Sequence, residues 1–451
     1  MQVSQFVEFS DRVLTHHDGS ERVGVYVTNI PRLIFIPLDL ARQVGSGEIE
    51  TLSPDAARAL QRAGVLTMSA AEDRAAVVSE MAEAELDPSV RSFVLLPSSY
   101  CNMSCSYCGQ EHLRGTMAPD HRTTIEERVI GAIRDPTVEH VHVAWFGAEP
   151  LMAYARLMDM AQKFIGEADL RGVRYTSKIT TNGALLSERK LLSLWEDARV
   201  SRLDITLDGP EHIHDAHRPL KSGKGSFASL VNVLKWAARE SRLDTVQFIL
   251  RTNVDRHNID YIDEYLTMMA ESGLTSEKFV YQLSPIHSWG NDISELERES
   301  EAMAKECDWF RTMEALGLKH KLLPAKISGS TCVATHVGSE VIDKDGRMYS
   351  CTEQPLVPRD KFTTMITSVS NLAASAKRPL GSLDEWSAQV KSRPELPCST
   401  CSLLPVCGGG CPKRWNEGER ACPTLRATVR QRISLLAQRN GYVAGDPFHL
   451  R

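Results

Sequence analysis

The stretch FVLLPSSYCNMSCSYC, residues 93–108, places three cysteines directly after a short apolar run. The run Phe93–Leu96 predicts a buried strand, and the polar segment after it predicts a loop. Three thiols in the spacing C-x₃-C-x₂-C suit three corners of a 4Fe–4S cluster, which needs four ligands. Because no fourth cysteine lies nearby, one iron is expected to stay open to a small molecule, as catalytic zinc sites keep one open position.

Composition and charge narrow the class of protein. The chain has 451 residues, 42% hydrophobic and 24% charged, as expected of a globular protein with two or three domains. A formal net charge of −6 argues against a nucleic-acid partner bound by bulk electrostatics. The absence of a long apolar run and of a secretory signal predicts a cytoplasmic protein that does not bind membranes. In that compartment, eleven cysteines favour metal or redox chemistry over disulfides.

Residues 89–290 alternate predicted strands and helices, a pattern typical of a parallel sheet with right-handed crossovers. Six such units fall short of the eight that close a TIM barrel, so we predict an α/β fold built on a partial (β/α)6 barrel. In such folds the chemistry lies at the C-terminal ends of the strands. The predicted strands are Phe93–Leu96, His140–Trp145, Ser177–Thr181, Leu203–Leu207, Val246–Thr252 and Phe279–Leu283, and the predicted helices are Thr124–Ile133, Leu151–Ile165, Ser187–Trp195, Phe227–Glu240 and Asn258–Ser272.

A small α+β region, residues 1–88, precedes the predicted barrel. Alternating Val, Tyr and Ile predict a β-hairpin from Arg22–Thr28 and Leu33–Ile36. Ser53 before Pro54 predicts the start of a helix that continues through Ala56–Ala63, and an Ala- and Glu-rich helix is predicted at Ala70–Glu85.

Residues 291–324 are predicted to link the barrel to a cysteine-rich domain at residues 325–426. The link contains a predicted helix at Ser294–Met313. The last region, residues 427–451, is predicted as a helix and a tail, with the basic helix spanning Leu425–Arg439. The cysteine-rich domain has few periodic segments, so metal ligation is expected to supply much of its folding free energy.

The cluster loop resembles that of radical SAM enzymes, which also carry an aromatic residue, here Tyr107, just before the last cysteine. The resemblance implies that Cys101, Cys105 and Cys108 hold a 4Fe–4S cluster whose open iron is chelated by S-adenosylmethionine. A zinc site is the alternative, but zinc motifs normally show two ligand pairs and this loop offers three thiols.

Three further motifs resemble the S-adenosylmethionine pocket of that family. WFGAEP, residues 145–150, is similar to the G-G-E-P motif, with Ala148 in place of the second Gly; TLDGP, residues 206–210, followed by DAHRP, residues 215–219, is similar to a segment of peptide- and sulfatase-modifying members. The third motif is a T-N-G turn, residues 181–183, after the third strand. A plain turn that needs φ > 0 is the alternative explanation for its Asn and Gly. The alternative to cofactor binding for Arg218 is a surface ion pair. The residues that the resemblance assigns to the cofactor are Tyr107, Gly147, Ala148, Glu149, Asn182, Thr206 and Arg218.

The seven C-terminal cysteines match the SPASM pattern of radical SAM enzymes, C-x₉₋₁₅-G-x₄-C, then C-x₂-C-x₅-C-x₃-C, then C. The alternative, a zinc ribbon, does not use seven ligands for one ion. By resemblance, two auxiliary 4Fe–4S clusters bring the total to three. The first would use Cys332, Cys351 and Cys411, and the second Cys398, Cys401, Cys407 and Cys422.

Two positions depart from the relatives. No eighth cysteine follows Cys332, so the fourth ligand of the first auxiliary cluster stays open, with His336, Asp343 and Cys307 as candidates. Sulfatase-maturing relatives carry an Asp base directly after the Cys of the G-x₄-C segment. Here Thr352 stands there, and the next residue, Glu353, is the one candidate for a catalytic base.

The motifs together predict a radical SAM/SPASM enzyme that modifies a ribosomally made peptide, forming a thioether, carbon–carbon or carbon–oxygen crosslink. By resemblance, a 5′-deoxyadenosyl radical abstracts hydrogen, and flavodoxin or ferredoxin supplies electrons.

The N-terminal hairpin and helices resemble leader-peptide-binding elements, or else they simply cap the barrel. The alternatives are a formylglycine-forming sulfatase maturase and a non-catalytic iron–sulfur scaffold. His287, Trp289 and Asp292 are expected at the barrel rim or at a substrate mouth.

Overall fold

The computed structural model describes residues 1–329, 332–393 and 395–449. The chain divides into two compact units. One unit combines Met1–Leu86, Lys321–Thr335 and Glu385–Arg451, and the other combines Asp87–His320 and His336–Asp384. The cysteine-rich segment predicted as one domain at 325–426 is therefore shared between the two units. Within the described ranges, no helix combines the length and apolar character that crossing a bilayer requires.

The N-terminal part of the first unit alternates short strands and helices. The predicted hairpin forms. Its first strand has the expected length but begins one residue earlier, and its second strand is two residues longer than expected. Ser53 accepts a hydrogen bond from the Ala56 N–H at 3.2 Å and so caps the helix predicted to follow it. The helix at Leu38–Ser46 was not predicted. The elements are β1 Gln2–Val3, β2 Val7–Phe9, β3 Arg12–Thr15, β4 Glu21–Val27, β5 Arg32–Pro37, α1 Leu38–Ser46, α2 Pro54–Arg62, β6 Leu66–Thr67 and α3 Ala70–Leu86.

The second unit contains the predicted partial barrel. All six predicted strands form and pair in parallel, in chain order. The strands are β7 Val90–Leu95, β8 His140–Trp145, β9 Arg174–Thr181, β10 Val200–Thr206, β11 Gln247–Val254 and β12 Phe279–Pro285. The helices are α4 Pro119–Ile133, α5 Tyr154–Arg171, α6 Glu188–Glu196, α7 Glu211–His217, α8 Phe227–Arg239, α9 Ile262–Glu271 and α10 Glu299–Ala315.

Alternating burial along the barrel strands separates two faces of the sheet. On β9, Tyr175, Ser177, Ile179 and Thr181 are buried, and the residues between them are half-buried. Apolar residues on the buried face belong to the core, as expected where helices cover one side of a parallel sheet. The other face carries polar side chains and is only partly covered, so the half-open barrel has a polar interior.

The central sheet is larger than predicted, because three strands from the cysteine-rich segment extend it beyond β7. These are β13 Ser339–Ile342, β14 Arg347–Tyr349 and β15 Thr367–Ser368, and β13 pairs in parallel with β7. Glu340 on β13 is buried and accepts hydrogen bonds from Arg91 and Arg128, each at 2.6 Å. This buried Arg–Glu–Arg group fixes β13 against the barrel edge, a contact that the short strand pattern does not reveal.

The C-terminal part of the first unit contains short helices and one strand. The predicted basic helix spans Leu425–Arg439, the bounds expected. The elements are α11 Trp386–Ser392, α12 Leu404–Cys407, α13 Pro412–Asn416, α14 Leu425–Arg439 and β16 Val443–Pro447. Strand β16 pairs with β3, so both ends of the chain contribute to one antiparallel sheet that also contains β2, β4 and β5. Short 3₁₀ turns occur at Ile49–Thr51, Pro150–Ala153, Ser241–Leu243, Ile259–Tyr261, Val369–Asn371 and Pro397–Thr400.

Candidate functional site

A cavity of about 520 Å³ opens at the C-terminal ends of the barrel strands. This is the edge where parallel α/β barrels carry their chemistry. Of the residues predicted to bind the first cluster and S-adenosylmethionine, all but Glu149 line it. Those lining residues are Cys101, Cys105, Tyr107, Cys108, Gly147, Ala148, Asn182, Thr206 and Arg218.

The cluster loop is held by backbone contacts to the segment that follows α7. Ser104 N–H donates to the Pro219 carbonyl at 3.0 Å, and Ser106 N–H donates to the His217 carbonyl at 3.4 Å. From the other side, the Asn291 amide donates to the Tyr107 carbonyl at 3.2 Å. The loop is therefore positioned by two separate chain segments.

The three thiols of this loop share one environment. Cys101 is buried and receives weak contacts from the Met103 N–H at 3.4 Å and the Asn182 amide at 3.6 Å. Burial raises the pKa of Cys105 to about 11, the neighbouring thiols add to that rise, and Arg218 opposes it. His112 Nε2 lies 3.7 Å from Cys108 Sγ. A positively charged cluster core would stabilise these thiolates, so the donor set fits a metal-bound group.

In the described ranges, no three His, Cys, Asp or Glu side chains converge on the position of a single metal ion. A four-iron cluster is held differently, with one thiolate on each iron. The loop spacing matches that second arrangement.

Gly147 lies where the strand β8 meets the cavity. Its φ is +118°, and a Cβ at this position would lie 2.7 Å from the Ser98 carbonyl oxygen. Glycine is therefore required here both for backbone conformation and for close approach. Ala148 takes the following position with a negative φ, so the Ala in place of the second Gly of the motif causes no backbone strain.

Glu149 is fully buried behind the cavity wall. One carboxylate oxygen accepts hydrogen bonds from the Leu151 N–H at 2.9 Å and the Thr181 hydroxyl at 2.7 Å. The other accepts from the Asn182 N–H at 2.8 Å. Burial raises the pKa of Glu149, and these hydrogen bonds oppose the rise. The structure therefore places this carboxylate as the anchor of the T-N-G turn, and its predicted contact with an ammonium group stays a prediction.

Tyr107 and Arg218 meet at a buried carboxylate. Tyr107 Oη donates to Asp208 Oδ2 at 2.7 Å, accepts from the Asn253 amide at 2.9 Å, and contacts Arg218 Nη1. Arg218 Nη1 lies 3.3 Å from the same Asp208 oxygen. Burial opposes ionisation of Asp208, but Arg218 and His217 together hold its pKa below the usual range.

His217 connects Asp208 to a second buried carboxylate. Its Nε2 lies 2.6 Å from Asp255 Oδ2, and its Nδ1 lies 3.3 Å from Asp208 Oδ2. Burial lowers the pKa of His217, but the two carboxylates outweigh burial and raise it to about 9. Two cations, Arg218 and His217, thus balance two buried anions. The motif at residues 215–218 predicted a role for Arg218. It gave no signal that Asp255 is the partner of His217.

Arg218 Nε is buried and has no hydrogen-bond partner in the part of the chain that the structure describes. A buried donor without an acceptor is costly, and a carboxylate is the acceptor that a guanidinium binds best. Because Arg218 lines the cavity, this donor fits a carboxylate-bearing ligand such as S-adenosylmethionine.

The mouth of the cavity contains residues that were predicted less specifically. His287 and Trp289 both line it, with ring centroids 4.4 Å apart, and Glu353 also lines it, whereas Asp292 is exposed and not in the wall. The inward positions of β10 and β11 add Arg202, Asp204, Arg251 and Asn253 to the lining. These four were not predicted, although the i, i+2 spacing of polar residues on two strands was the available signal.

Four C-terminal cysteines surround a separate small pocket in the first unit. Cys398, Cys401, Cys407 and Cys422 line it together with Leu403, Leu404 and Arg426. Burial raises the pKa of Cys398 to about 12 and that of Cys407 to about 11, and in both cases neighbouring thiols of the set add to the rise. Arg426 Nη1 donates to Cys422 Sγ at 3.2 Å. The set predicted for the second auxiliary cluster is thus brought together around one pocket.

The residues predicted for the first auxiliary cluster fall in both units. Cys332 and Cys411 belong to the first unit and interact electrostatically, and Cys351 is buried in the second.

The candidate fourth ligands of that cluster belong to the second unit. Asp343 Oδ1 accepts from the Asp345 and Arg347 N–H groups at 2.9 Å, so this carboxylate holds the β13–β14 turn. His336 Nδ1 accepts from the Gly338 N–H at 3.0 Å, and Cys307 is buried on α10.

Comparison with known proteins agrees with this site. Residues 95–269 match the Radical SAM superfamily. The chain is 23% identical over 347 residues to a serine-type anaerobic sulfatase-maturating enzyme of Klebsiella aerogenes, covering 70% of this chain and 78% of the relative. It is 24% identical over 335 residues to the mycofactocin maturase MftC of Mycolicibacterium smegmatis, covering 69% and 75%. The solved structure "Native anSMEcpe with bound AdoMet" superposes with a TM-score of 0.57 at 16% identity, covering 78% of this chain and 100% of that chain.

Proposed function

We propose that this chain, which carries a radical SAM domain at residues 95–269, is a maturase that modifies a ribosomally made peptide by forming an intrapeptide crosslink. The observation that carries the proposal is the single cavity shared by the three loop cysteines and the predicted S-adenosylmethionine residues. A non-catalytic iron–sulfur scaffold would not need Thr206, Asn182 and Arg218 around the same opening. The names of both relatives, a sulfatase-maturating enzyme and the maturase MftC, support a maturase activity.

In this proposal the chain's own residues bind and orient the cofactor. Cys101, Cys105 and Cys108 hold the cluster, and bound S-adenosylmethionine supplies the carbon radical that removes hydrogen from the peptide. Arg218 Nε and Thr206 would hold the carboxylate of the cofactor, and Tyr107 would contact its adenine. Glu149 holds Asn182 in place through the Asn182 N–H.

The first unit has features suited to binding a leader peptide. Strand β5 pairs with β4, and in the described part of the chain no strand covers its other edge. An open edge can add a strand from a bound peptide through main-chain hydrogen bonds. We infer that this unit recruits the precursor and that two auxiliary clusters are bound through the seven C-terminal cysteines, with flavodoxin or ferredoxin as electron donor in a cytoplasmic setting.

Formylglycine formation is the second candidate, favoured by the sulfatase-maturating relatives and by the position of Glu353. Thr352 replaces the Asp base of such enzymes, but Glu353, one residue later, lines the cavity. A carboxylate is thus available at the mouth for proton transfer.

The test uses full-length protein with reconstituted clusters, without oxygen, incubated with dithionite and S-adenosylmethionine. We expect 5′-deoxyadenosine, and its absence from a protein with a filled loop cluster would reject the enzyme. Short peptides encoded beside the gene and a serine peptide from a sulfatase are then supplied in separate reactions. A crosslink removes two hydrogens without creating an aldehyde, whereas formylglycine reacts with a hydrazide reagent. A hydrazide-reactive product from the sulfatase peptide alone would select the second candidate.

A further inference from the structure

Two buried residues behind the cofactor pocket, His217 and Asp255, have no part in the proposed function. His217 is the last residue of α7, and Asp255 directly follows β11. Both are buried, and neither lines the cavity. Removing a charged pair from water costs free energy that the attraction within the pair often fails to offset. What else the pair contacts therefore indicates its use.

The imidazole of His217 faces a carboxylate with each of its two nitrogens. Nε2 lies 2.6 Å from Asp255 Oδ2, and Nδ1 lies 3.3 Å from Asp208 Oδ2. Only the protonated ring has a donor on both nitrogens, so the arrangement suits the imidazolium. The ring centroid also lies 5.0 Å from that of Tyr107. His217 thus connects Asp255 to the residues that form the pocket wall.

Asp255 is held in place by the loop that follows β11. Its N–H donates to Asn258 Oδ1 at 2.8 Å, and its Oδ1 accepts from the His257 N–H at 2.8 Å. Asn258 Nδ2 also donates to the Asp208 carbonyl at 2.8 Å, which joins the loops after β10 and β11. Asp255 therefore presents its second carboxylate oxygen to His217 from a fixed position.

Asp208 connects this pair to two residues predicted to bind the cofactor. Its Oδ1 accepts from the Asn253 N–H at 2.8 Å. Its Oδ2 accepts from Tyr107 at 2.7 Å and lies 3.3 Å from both Arg218 Nη1 and His217 Nδ1. Because His217 brings a second positive charge to this oxygen, Asp208 attracts the Arg218 guanidinium less strongly than it would alone.

Arg218 consequently keeps a donor for the cavity. Its Nη1 contacts Tyr107 and Asp208, while its Nε is buried and has no acceptor within the described ranges of the chain. A guanidinium binds a carboxylate best through two parallel hydrogen bonds, which requires the plane of the group to be fixed. The orientation of this plane depends on where Asp208 is held.

We propose that His217 and Asp255 are positioning residues that hold Asp208 and thereby orient the Arg218 guanidinium toward the carboxylate of S-adenosylmethionine. This rests on the proposed function, in which Arg218 binds that carboxylate. Without the pair, Asp208 draws the guanidinium toward itself and weakens its contact with the cofactor. Two residues that do not touch the cofactor thus set how well its carboxylate is recognised.

The test compares two ligands that differ only in the carboxylate, S-adenosylmethionine and its decarboxylated analogue. Equilibrium dialysis of each labelled compound uses full-length, cluster-loaded protein without oxygen, and iron content shows that each variant is loaded. In Asp255→Asn and in His217→Asn, affinity for S-adenosylmethionine should fall roughly tenfold and affinity for the analogue less than about twofold. Either variant alone decides the result if the other does not fold. Equal losses for the two ligands, or no loss for either, would overturn the proposal.

Glu126 on α4 provides a matched control. It is buried and accepts from Arg122 and Lys163, each at 2.8 Å, so it is also a carboxylate between two cations, but it does not line the cavity. Glu126→Gln should leave the affinity for both ligands unchanged. A selective loss of S-adenosylmethionine binding in this variant would show that any buried charge has the same effect, and the proposal would be wrong.

A double-mutant cycle then tests whether the pair acts through Arg218. Asp255→Asn should weaken S-adenosylmethionine binding roughly tenfold in the wild type and little further in Arg218→Gln, because the guanidinium that it orients is gone. Equal losses in the two backgrounds would assign the pair to another part of the pocket and overturn the proposal. The proposed function itself fails by a different result, the absence of 5′-deoxyadenosine from the wild type, so the two failures are distinguishable.

Discussion

The two cysteine pockets of this chain differ in what surrounds their thiols. Three thiols of the cluster loop open into a cavity of about 520 Å³ that also contains Arg218, Asn182 and Thr206. Four C-terminal thiols close around a cavity of about 20 Å³ walled by Leu403 and Leu404. The first leaves space and polar partners for an exchangeable ligand, and the second has enough thiolates to complete a cluster alone. From ligand number and free volume we therefore predict a reactive centre at the first pocket and an electron-transfer or structural centre at the second.

The largest expected difference comes from removing thiols. Changing Cys101, Cys105 and Cys108 to Ala should remove about four irons per chain and abolish 5′-deoxyadenosine formation, because the whole loop cluster is lost. Changing Cys398, Cys401 and Cys407 should also remove about four irons but leave S-adenosylmethionine binding in place. Iron content and product yield are measured on the same samples. Cys307→Ala, on α10, is the control and should keep all iron; iron loss there would make Cys307 a ligand.

The second prediction concerns the group of two buried carboxylates and two cations, which the smaller pocket lacks. The group consists of Asp208, Asp255, Arg218 and His217. His217 is protonated in the folded state with a pKa of about 9, against about 6.5 unfolded, and it is buried between two carboxylates. Its contribution to stability is complete below about pH 6.5 and is lost as the pH rises through 9, on the order of 3 kcal/mol.

His217→Asn should therefore lower the free energy of unfolding at pH 6 by about 3 kcal/mol and flatten its decline between pH 6.5 and 9. Denaturant titrations across this pH range measure both effects. His257→Asn, at an exposed neighbouring ring, is the control. An unchanged pH slope in His217→Asn would show that the imidazole is neutral in the fold.

The third prediction tests whether a fully buried residue controls the open pocket. In Glu149→Gln, an NH₂ donor replaces one carboxylate oxygen. In the wild type both oxygens accept from backbone N–H groups, so the variant places a donor against a donor. The T-N-G turn should shift, and affinity for S-adenosylmethionine should fall roughly tenfold, from a loss of about 1–3 kcal/mol. Equilibrium dialysis measures this fall. Glu127→Gln, on the exposed side of α4, should leave the affinity unchanged. Equal affinities for Glu149→Gln and wild type would remove Glu149 from the site.

The smallest effect is expected at the closed pocket. Arg426 donates to Cys422 and favours the more negative, reduced form of a bound cluster. Arg426→Gln should lower the midpoint potential of one cluster by on the order of 50 mV, since 59 mV corresponds to about 1.4 kcal/mol for one electron. Redox titration followed by electron paramagnetic resonance resolves this shift. The exposed Arg420→Gln should have no effect. A shift in the loop-cluster signal instead would contradict the assignment of Arg426 to this pocket.

Much of the barrel was predictable because each strand carries its own periodicity. Strand β8 formed at His140–Trp145 as predicted, and the other five differ only at their ends. Strands β13 and β14 were missed because four and three residues give too little pattern. They depend on a buried contact between Glu340 and two arginines distant in sequence, which no local signal shows. Helix α7 was also too short to predict. Its seven residues include three His and almost no apolar stripe.

The sequence by itself determined the ligand types, because thiol spacing is a covalent property of the chain. Cys101, Cys105 and Cys108 are close in space wherever their loop lies, and the C-x₂-C-x₅-C segment keeps its thiols together likewise. Only the tertiary structure decided which charged groups surround them. It brought Asp255 to His217, turned Glu149 away from the cavity, and placed Arg202 and Arg251 on adjacent strands inside it. Burial and long-range pairing set those environments, and neither is encoded in the spacing of neighbouring residues.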